Sequence, residues 1–290
     1  MTAEPDGASN APYRDRIVQP LFIVSTPRSG STLLFDTLAQ APRLFTSGQE
    51  SHWVIEDTAD FDPAKRDWSS NRLTAEDARA DAVEDLARAF YRDLRDRDET
   101  PASGAVRMLE KTPKNALRVP FFAAAFTDSA FVYLYRDVRE ALASMMEAWA
   151  SGGFRTYPQL PGWTGYPWSM LLVPGWRELI GQPLPVIVAR QWAMTTQTLL
   201  DDLDALATDR VHAVTYQALI EGPQAQMERL TAQLGLDWDR TLGSTLPLSK
   251  VTVSPPQPGK WRRLEREIEA VMPIVAAADA RARAFASART

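Results

Sequence analysis

The chain has 290 residues, 45% of them hydrophobic, which is enough for one large α/β domain or two smaller ones. Its formal charge is −5 and it contains no long basic run, so nucleic acid is a poor partner. Cysteine is absent and the only histidines are His52 and His212, which excludes disulfides, thiolate catalysis and a His-rich metal site.

From the N-terminus, Met1 to Asn10 is polar and acidic, unlike a secretory signal, and a disordered tail is expected to about Arg14. The longest apolar runs, such as Phe121 to Phe126, are far too short to cross a bilayer. These features predict a soluble cytoplasmic protein with no integral membrane segment. Leu21-Phe22-Ile23-Val24 reads as a buried strand, Thr26 to Gly30 as a turn with one cation, and Ser31 onward as a helix with Leu33, Leu34 and Leu38 on its apolar side. The first turn of such a helix offers free N–H groups and the positive end of the macrodipole to an anion. Gly30 allows close backbone approach, Arg28 adds a charge, and Ser29, Ser31 and Thr32 add hydroxyls. An NTP-binding P-loop ends in Gly-Lys-Ser/Thr. Here Ser31 follows Gly30 directly, so a smaller anhydride fits better than a triphosphate with Mg²⁺. Taken alone, the segment is also compatible with an ordinary strand-turn-helix corner.

Pro63 to Asn71 reads as a polar linker, and Thr74 opens a helix predicted to run to about Asp98. Glu110-Lys111-Thr112-Pro113 follows the loop Pro101 to Gly104. Thr112 and Pro113 make a helix start, a capping hydroxyl before Pro at the first helical position, with the helix reaching about Phe126. Phe131 to Tyr135 is a second strand, followed by Arg136, by Asp137 and Glu140 in an N-terminal capping pattern, and by a helix to about Trp149 that carries Ser144. Arg136 therefore stands at a strand's carboxyl end, where open α/β sheets bind ligands. Residues 150 to 185 are rich in aromatics, with Phe154, Tyr157, Trp163, Tyr166, Trp168 and Trp176. Further helices are predicted over 186–207, 223–234 and 261–286. The alternation of strand and helix predicts an α/β fold with a mostly parallel central sheet flanked by helices.

The strand-PRSGST-helix element, followed about a hundred residues later by a strand, Arg136-Asp137 and then Ser144, resembles the sulfotransferase family. The resemblance is closest to its protein-tyrosine and bacterial branches. It implies a P-loop-like sulfotransferase fold, binding of 3′-phosphoadenosine-5′-phosphosulfate (PAPS) and release of PAP, with no metal. By that resemblance Arg28, Ser29, Gly30, Ser31 and Thr32 hold the 5′-phosphosulfate, and Arg136 and Ser144 hold the 3′-phosphate, in a pocket well away from the first. Val214-Thr215-Tyr216 resembles the family's strand-Tyr-helix unit, with Tyr216 near the adenine. Leu248-Ser249-Lys250-Val251 with Ser254 resembles a cofactor-contacting segment. Pro258-Gly259-Lys260-Trp261 resembles the C-terminal element that closes over the nucleotide. The likeness spans about residues 20 to 262. It makes residues 15–290 one domain, with an acceptor-binding insertion at about 150–185.

Sulfuryl transfer needs in-line positioning, cations on the departing phosphate and a base for the acceptor proton. Arg28 and Lys111 are the cations that the resemblance implies. Pro113 stands where small-molecule sulfotransferases carry their catalytic His. The base therefore resembles the Glu of the protein-tyrosine type, which falls on Glu50, twenty-two residues after Arg28, with His52 in reserve. The acceptor expected from the aromatic stretch is a hydrophobic, aromatic or glycosidic hydroxyl compound. The sequence admits a homodimer without requiring one. The alternatives are a P-loop-type kinase using ATP and Mg²⁺ and a non-catalytic nucleotide-binding module.

Overall fold

The computed structural model describes residues 11–247 and 259–290. A short helix α1 (Tyr13–Arg16) occupies the last part of the expected tail. It is followed by β1 (Leu21–Val24), α2 (Ser31–Leu38), β2 (Leu44–Phe45), α3 (His52–Glu56) and α4 (Ala80–Asp93). Then come β3 (Arg107–Glu110), α5 (Val119–Ala125), β4 (Ala130–Tyr135), α6 (Val138–Ser151), β5 (Arg155–Tyr157) and β6 (Trp168–Ser169). The remainder is α7 (Leu184–Asp204), β7 (Val211–Thr215), α8 (Tyr216–Glu221), α9 (Pro223–Gln233) and α10 (Glu265–Ser287).

Five strands pair in the order β2-β3-β1-β4-β7, every pair parallel. All four residues of β1 are buried because helices cover both faces of the sheet. Phe22 and Val24 join Phe131 and Tyr133 in the larger core with α4 to α7 and α10, while Leu21 and Ile23 join Val132 and Leu134 under α2 and α9. In a parallel sheet the carboxyl ends lie along one edge. The chain leaving β1 reaches Arg28, β3 is followed at once by Lys111, β4 by Arg136 and β7 by Tyr216. The topology alone thus gathers four of the residues singled out above.

Two predicted helices are broken. Asp77 accepts the Thr74 backbone N–H at 2.7 Å and closes only a 3-10 turn, Ala75–Asp77, before α4 begins. The helix expected from Thr112 stops after the 3-10 turn Pro113–Leu117 and restarts as α5. Pro120 lacks the N–H that a continuous helix would need there, and its ring crowds the preceding turn. The break also directs the fully buried Arg118 side chain inward, onto Glu56 at 2.9 Å and the Asn71 carbonyl at 3.2 Å.

Candidate active site

A cavity of about 1170 Å³ opens along the carboxyl edge of the sheet. At its centre Gly30 precedes α2 with φ +95°, and a Cβ there would lie 2.5 Å from the Tyr216 ring. Glycine is required both for the left-handed backbone and for this close approach. Arg28 also holds a positive φ, +64°, which a non-glycine residue adopts at a cost and which marks a strained, over-determined turn. Thr26 and Ser29 are tied hydroxyl to hydroxyl at 2.8 Å. No side chain caps α2, so its first-turn N–H groups remain directed to the cavity as an anion cradle.

The expected second pocket is not separate from the first. Arg28 Nε donates to Ser144 Oγ at 3.3 Å, and Arg136 donates to the Arg28 carbonyl at 2.8 Å. The two guanidiniums sit close enough that burial and then Arg136 hold the Arg28 pKa below its usual value. The Arg136 guanidinium stacks 4.7 Å above the Tyr216 ring, 3.7 Å from Glu140. Its Nε is buried without a hydrogen-bond partner. Two desolvated cations beside an open helix N-terminus, one with an orphaned donor, form a site that calls for an anion with several oxygens.

Gly259, Lys260 and Trp261 cross the same region. Gly259 donates its N–H to Glu140 at 3.0 Å, Lys260 pairs with Glu147 at 2.8 Å, and Trp261 lies under Arg139 at 5.5 Å. All three line the cavity. Ser254 and the segment Leu248 to Pro258 lie outside the described residues. Thr245, Leu246 and Pro247 line the cavity without any prior sequence signal.

Behind the cavity wall Lys111, almost fully buried, donates to Thr32 Oγ1 at 3.0 Å and is ion-paired with Glu50, and both of these partners line the cavity. The ion-pair partner of Lys111 is not its chain neighbour Glu110 but Glu50, from a loop sixty-one residues away. Glu50 Oε2 lies 2.7 Å from His52 Nε2, so the two candidate bases are one hydrogen-bonded couple. Burial pushes the Glu50 carboxyl up, but the His52 hydrogen bond and the Lys111 charge outweigh it and hold the pKa at about 2. Thr112, expected to cap a helix, makes no such bond. Its hydroxyl donates to Glu110 Oε1 at 2.5 Å and accepts the Ser51 N–H at 2.8 Å.

Of the six aromatics expected to wall the acceptor side, only Phe154 lines the cavity, with the Arg28 guanidinium 4.7 Å above its ring. Trp168 and Trp176 are fully buried and pack edge-on against each other and Trp163. Tyr157 is buried with its hydroxyl on Glu56 at 3.1 Å. The rest of that wall is Thr156, Met170 and Leu171 from the β5–β6 hairpin, with Pro113 and Lys114. Below it Glu56 accepts from Lys114 at 2.7 Å, Arg118 at 2.9 Å and Asn71 at 3.0 Å, a buried network that the sequence did not signal. Burial brings the Lys114 pKa down to about 8. Among the described residues no group of His, Cys, Asp and Glu is placed to hold a metal ion, and no helix is long and apolar enough to cross a membrane.

A parallel sheet with an anion cradle after its first strand is a P-loop-like arrangement. Residues 20–240 match the sulfotransferase family, and the chain belongs to that family. No curated protein matches the sequence. Among solved structures, the sulfotransferase domain from the curacin biosynthetic pathway is similar at 19% identity, with 77% of this chain and 76% of that one covered and a TM-score of 0.45. Sulfotransferase STF9 from Mycobacterium avium is similar at 14% identity, over 90% of this chain and 76% of that one, TM-score 0.49. The sulfotransferase from Alicyclobacillus acidocaldarius is similar at 14% identity, over 90% and 96%, TM-score 0.48.

Proposed function

We propose that this sulfotransferase moves a sulfuryl group from PAPS to a hydroxyl of a small-molecule, lipid or glycosidic acceptor, leaving PAP and a sulfate ester. The observation that carries this reading is the half-buried Arg28–Arg136 pair at the open end of α2, with Arg136 Nε lacking a hydrogen-bond partner. Two neighbouring cations suit a donor with more than one phosphate group, and membership of the sulfotransferase family makes PAPS that donor in this reading. The absence of Lys between Gly30 and Ser31 weighs against the kinase reading.

In this reading the first-turn N–H groups of α2, with Arg28, Ser29, Ser31 and Thr32, bind the phosphosulfate end. Arg136 and Ser144 bind the 3′-phosphate, with Tyr216, Lys260 and Trp261 around the nucleoside. The bound donor supplies an activated sulfuryl group. Lys111 neutralises charge on the departing phosphate, and Glu50, hydrogen-bonded to His52, takes the acceptor's proton. Redirecting the Lys111 ammonium from Glu50 to that phosphate would also remove one of the two interactions, after the His52 hydrogen bond, that make the carboxylate a weak base. Phe154, Met170 and Leu171 offer an apolar wall to the acceptor.

The test is an acceptor screen with sulfur-labelled PAPS, read by mass spectrometry, with and without a chelator. Chelator-insensitive label transfer is expected. Phosphoryl transfer from ATP that requires Mg²⁺ would replace this reading by the kinase one.

A further inference from the structure

The base-bearing loop has little of its own to hold it. Gly48 takes a positive φ of +71°, and α3, which starts at His52, is only five residues long. Its far end is fixed by Glu56 in the buried network with Lys114 and Arg118. Its near end is held by the Glu50 side chain on Lys111 and, at the backbone, by the N–H of Ser51, which lies between Glu50 and His52 and donates to Thr112 Oγ1 at 2.8 Å. A hydroxyl has one proton, and Thr112 spends it on Glu110 Oε1, so its oxygen is free to accept from Ser51. Asn115 Nδ2 occupies the other oxygen of Glu110. Glu110, Thr112 and Asn115 are buried, and Glu110 ends β3 in register with Phe22 of β1.

A carboxylate at a buried strand end is a costly way to fill space, and an apolar residue of similar volume would serve packing alone better. Here it sets the direction of the Thr112 hydroxyl and, through it, the place of Ser51. We propose that Glu110 and Thr112 are positioning residues for sulfuryl transfer. They anchor the backbone between Glu50 and His52 to the rigid end of β3 and thereby hold the proton-accepting couple beside Lys111. This rests on the sulfotransferase reading above.

Thr112→Val removes the acceptor for Ser51 at nearly constant volume, Thr112→Ser restores it, and Glu110→Gln keeps an oxygen for Thr112 without the charge. Three readouts separate the cases: PAP affinity by calorimetry, kcat and KM with the acceptor found in the screen, and the imidazole NMR signals of His52, with His212 as internal reference. For Thr112→Val the expected result is PAP affinity within about threefold of wild type, kcat lower by roughly 10- to 100-fold, and displaced His52 signals with unmoved His212 signals. Thr112→Ser should return kcat to within about threefold of wild type. Wild-type kcat and unmoved His52 signals in Thr112→Val would overturn the proposal, as would equal losses in Thr112→Val and Thr112→Ser. If Thr112→Val fails to fold, Thr112→Ala compared with Thr112→Ser decides it. The anchor predicts kcat lower by roughly 10- to 100-fold in Thr112→Ala with PAP binding intact and rescue in Thr112→Ser, and equal kcat in the two rejects it. If the wild-type protein binds no PAP, the parent reading fails, while the His52 displacement still reports the anchor.

Discussion

The two ends of the cavity are built from different materials. At the end proposed to take the nucleotide, four of the functional groups are set by the sheet: Arg28, Lys111, Arg136 and Tyr216 follow the carboxyl ends of four adjacent parallel strands. At the acceptor end the wall comes from the β5–β6 hairpin and from the loop that carries Glu50, regions with little regular structure of their own. Parallel strands put their carboxyl ends on one edge whatever follows them, so the nucleotide end is fixed by topology. The acceptor end is fixed by side chains reaching between distant segments, such as Tyr157 and Lys114 meeting on Glu56. Changes at the first end should therefore alter nucleotide affinity, and changes at the second should alter chemistry and acceptor choice.

The largest effect is expected where the two ends meet, at the Lys111–Glu50 ion pair. Glu50→Gln should lower turnover by roughly 10²–10⁴ with little change in PAP affinity. Steady-state rates on labelled PAPS and calorimetry with PAP measure the two effects. Near-normal turnover would move the base role to His52. Lys111→Met should cost about 10²–10³, because it removes the cation proposed to neutralise the departing phosphate. The double variant should lose far less than the product of the single losses, since each residue acts through the other.

A smaller and more selective effect is expected at the nucleotide end. Arg136→Ala should weaken binding of the 3′-phosphorylated nucleotide by about 10- to 100-fold, the worth of a charge-assisted hydrogen bond, and leave the analogue without the 3′-phosphate nearly unaffected. Calorimetry with both ligands decides this, and equal losses would place Arg136 outside the 3′-phosphate site. The contact of Arg136 with the Arg28 carbonyl makes the test sharper. If Arg136 acted only by shaping the β1–α2 turn, both nucleotides would suffer alike.

The same division governs what could be read from the sequence. The turn from Leu21 to Leu34 was legible because strand, glycine, cation and helix are contiguous, and the structure gives each element where the pattern predicts it. The strand-end positions of Arg136 and Tyr216 were legible for the same reason. β2 and β3 were not, because two and four residues of mixed polarity carry no measurable period. The residues 150 to 185 misled by composition. An aromatic residue in a loop looks the same whether it faces a cavity, like Phe154, or packs into a tryptophan cluster, like Trp168 and Trp176. Thr112 misled by local rule: Thr before Pro is a good helix cap, but a buried carboxylate two residues away competed for its hydroxyl and won. Neither Glu50 on Lys111 nor Glu56 on Lys114 could be read locally, since each pair joins segments about sixty residues apart.

The smallest effect contrasts two carboxylates on either side of Lys111. Burial raises the Glu110 pKa to about 7, from an ordinary 4.5. Glu50 moves the other way, to about 2, because His52 and Lys111 outweigh its burial. Folding therefore binds a proton at Glu110 between about pH 4.5 and 7. Its contribution to stability is complete below 4.5 and is lost as pH rises through 7. The Glu50 contribution is present above 4.5 and is lost as pH falls toward 2. From about pH 5.5 to pH 7 the Glu110 contribution should fall by roughly one to two kcal/mol, while His212, whose pKa burial lowers, changes in the opposite sense and equally in both proteins compared below. Urea unfolding of wild type and Glu110→Gln at these two pH values isolates it. The wild-type midpoint should fall relative to that of the variant as pH rises. Parallel pH dependence in the two proteins would mean that Glu110 is ionised throughout, held so by Thr112, Asn115 and the neighbouring Lys111 against the cost of its burial.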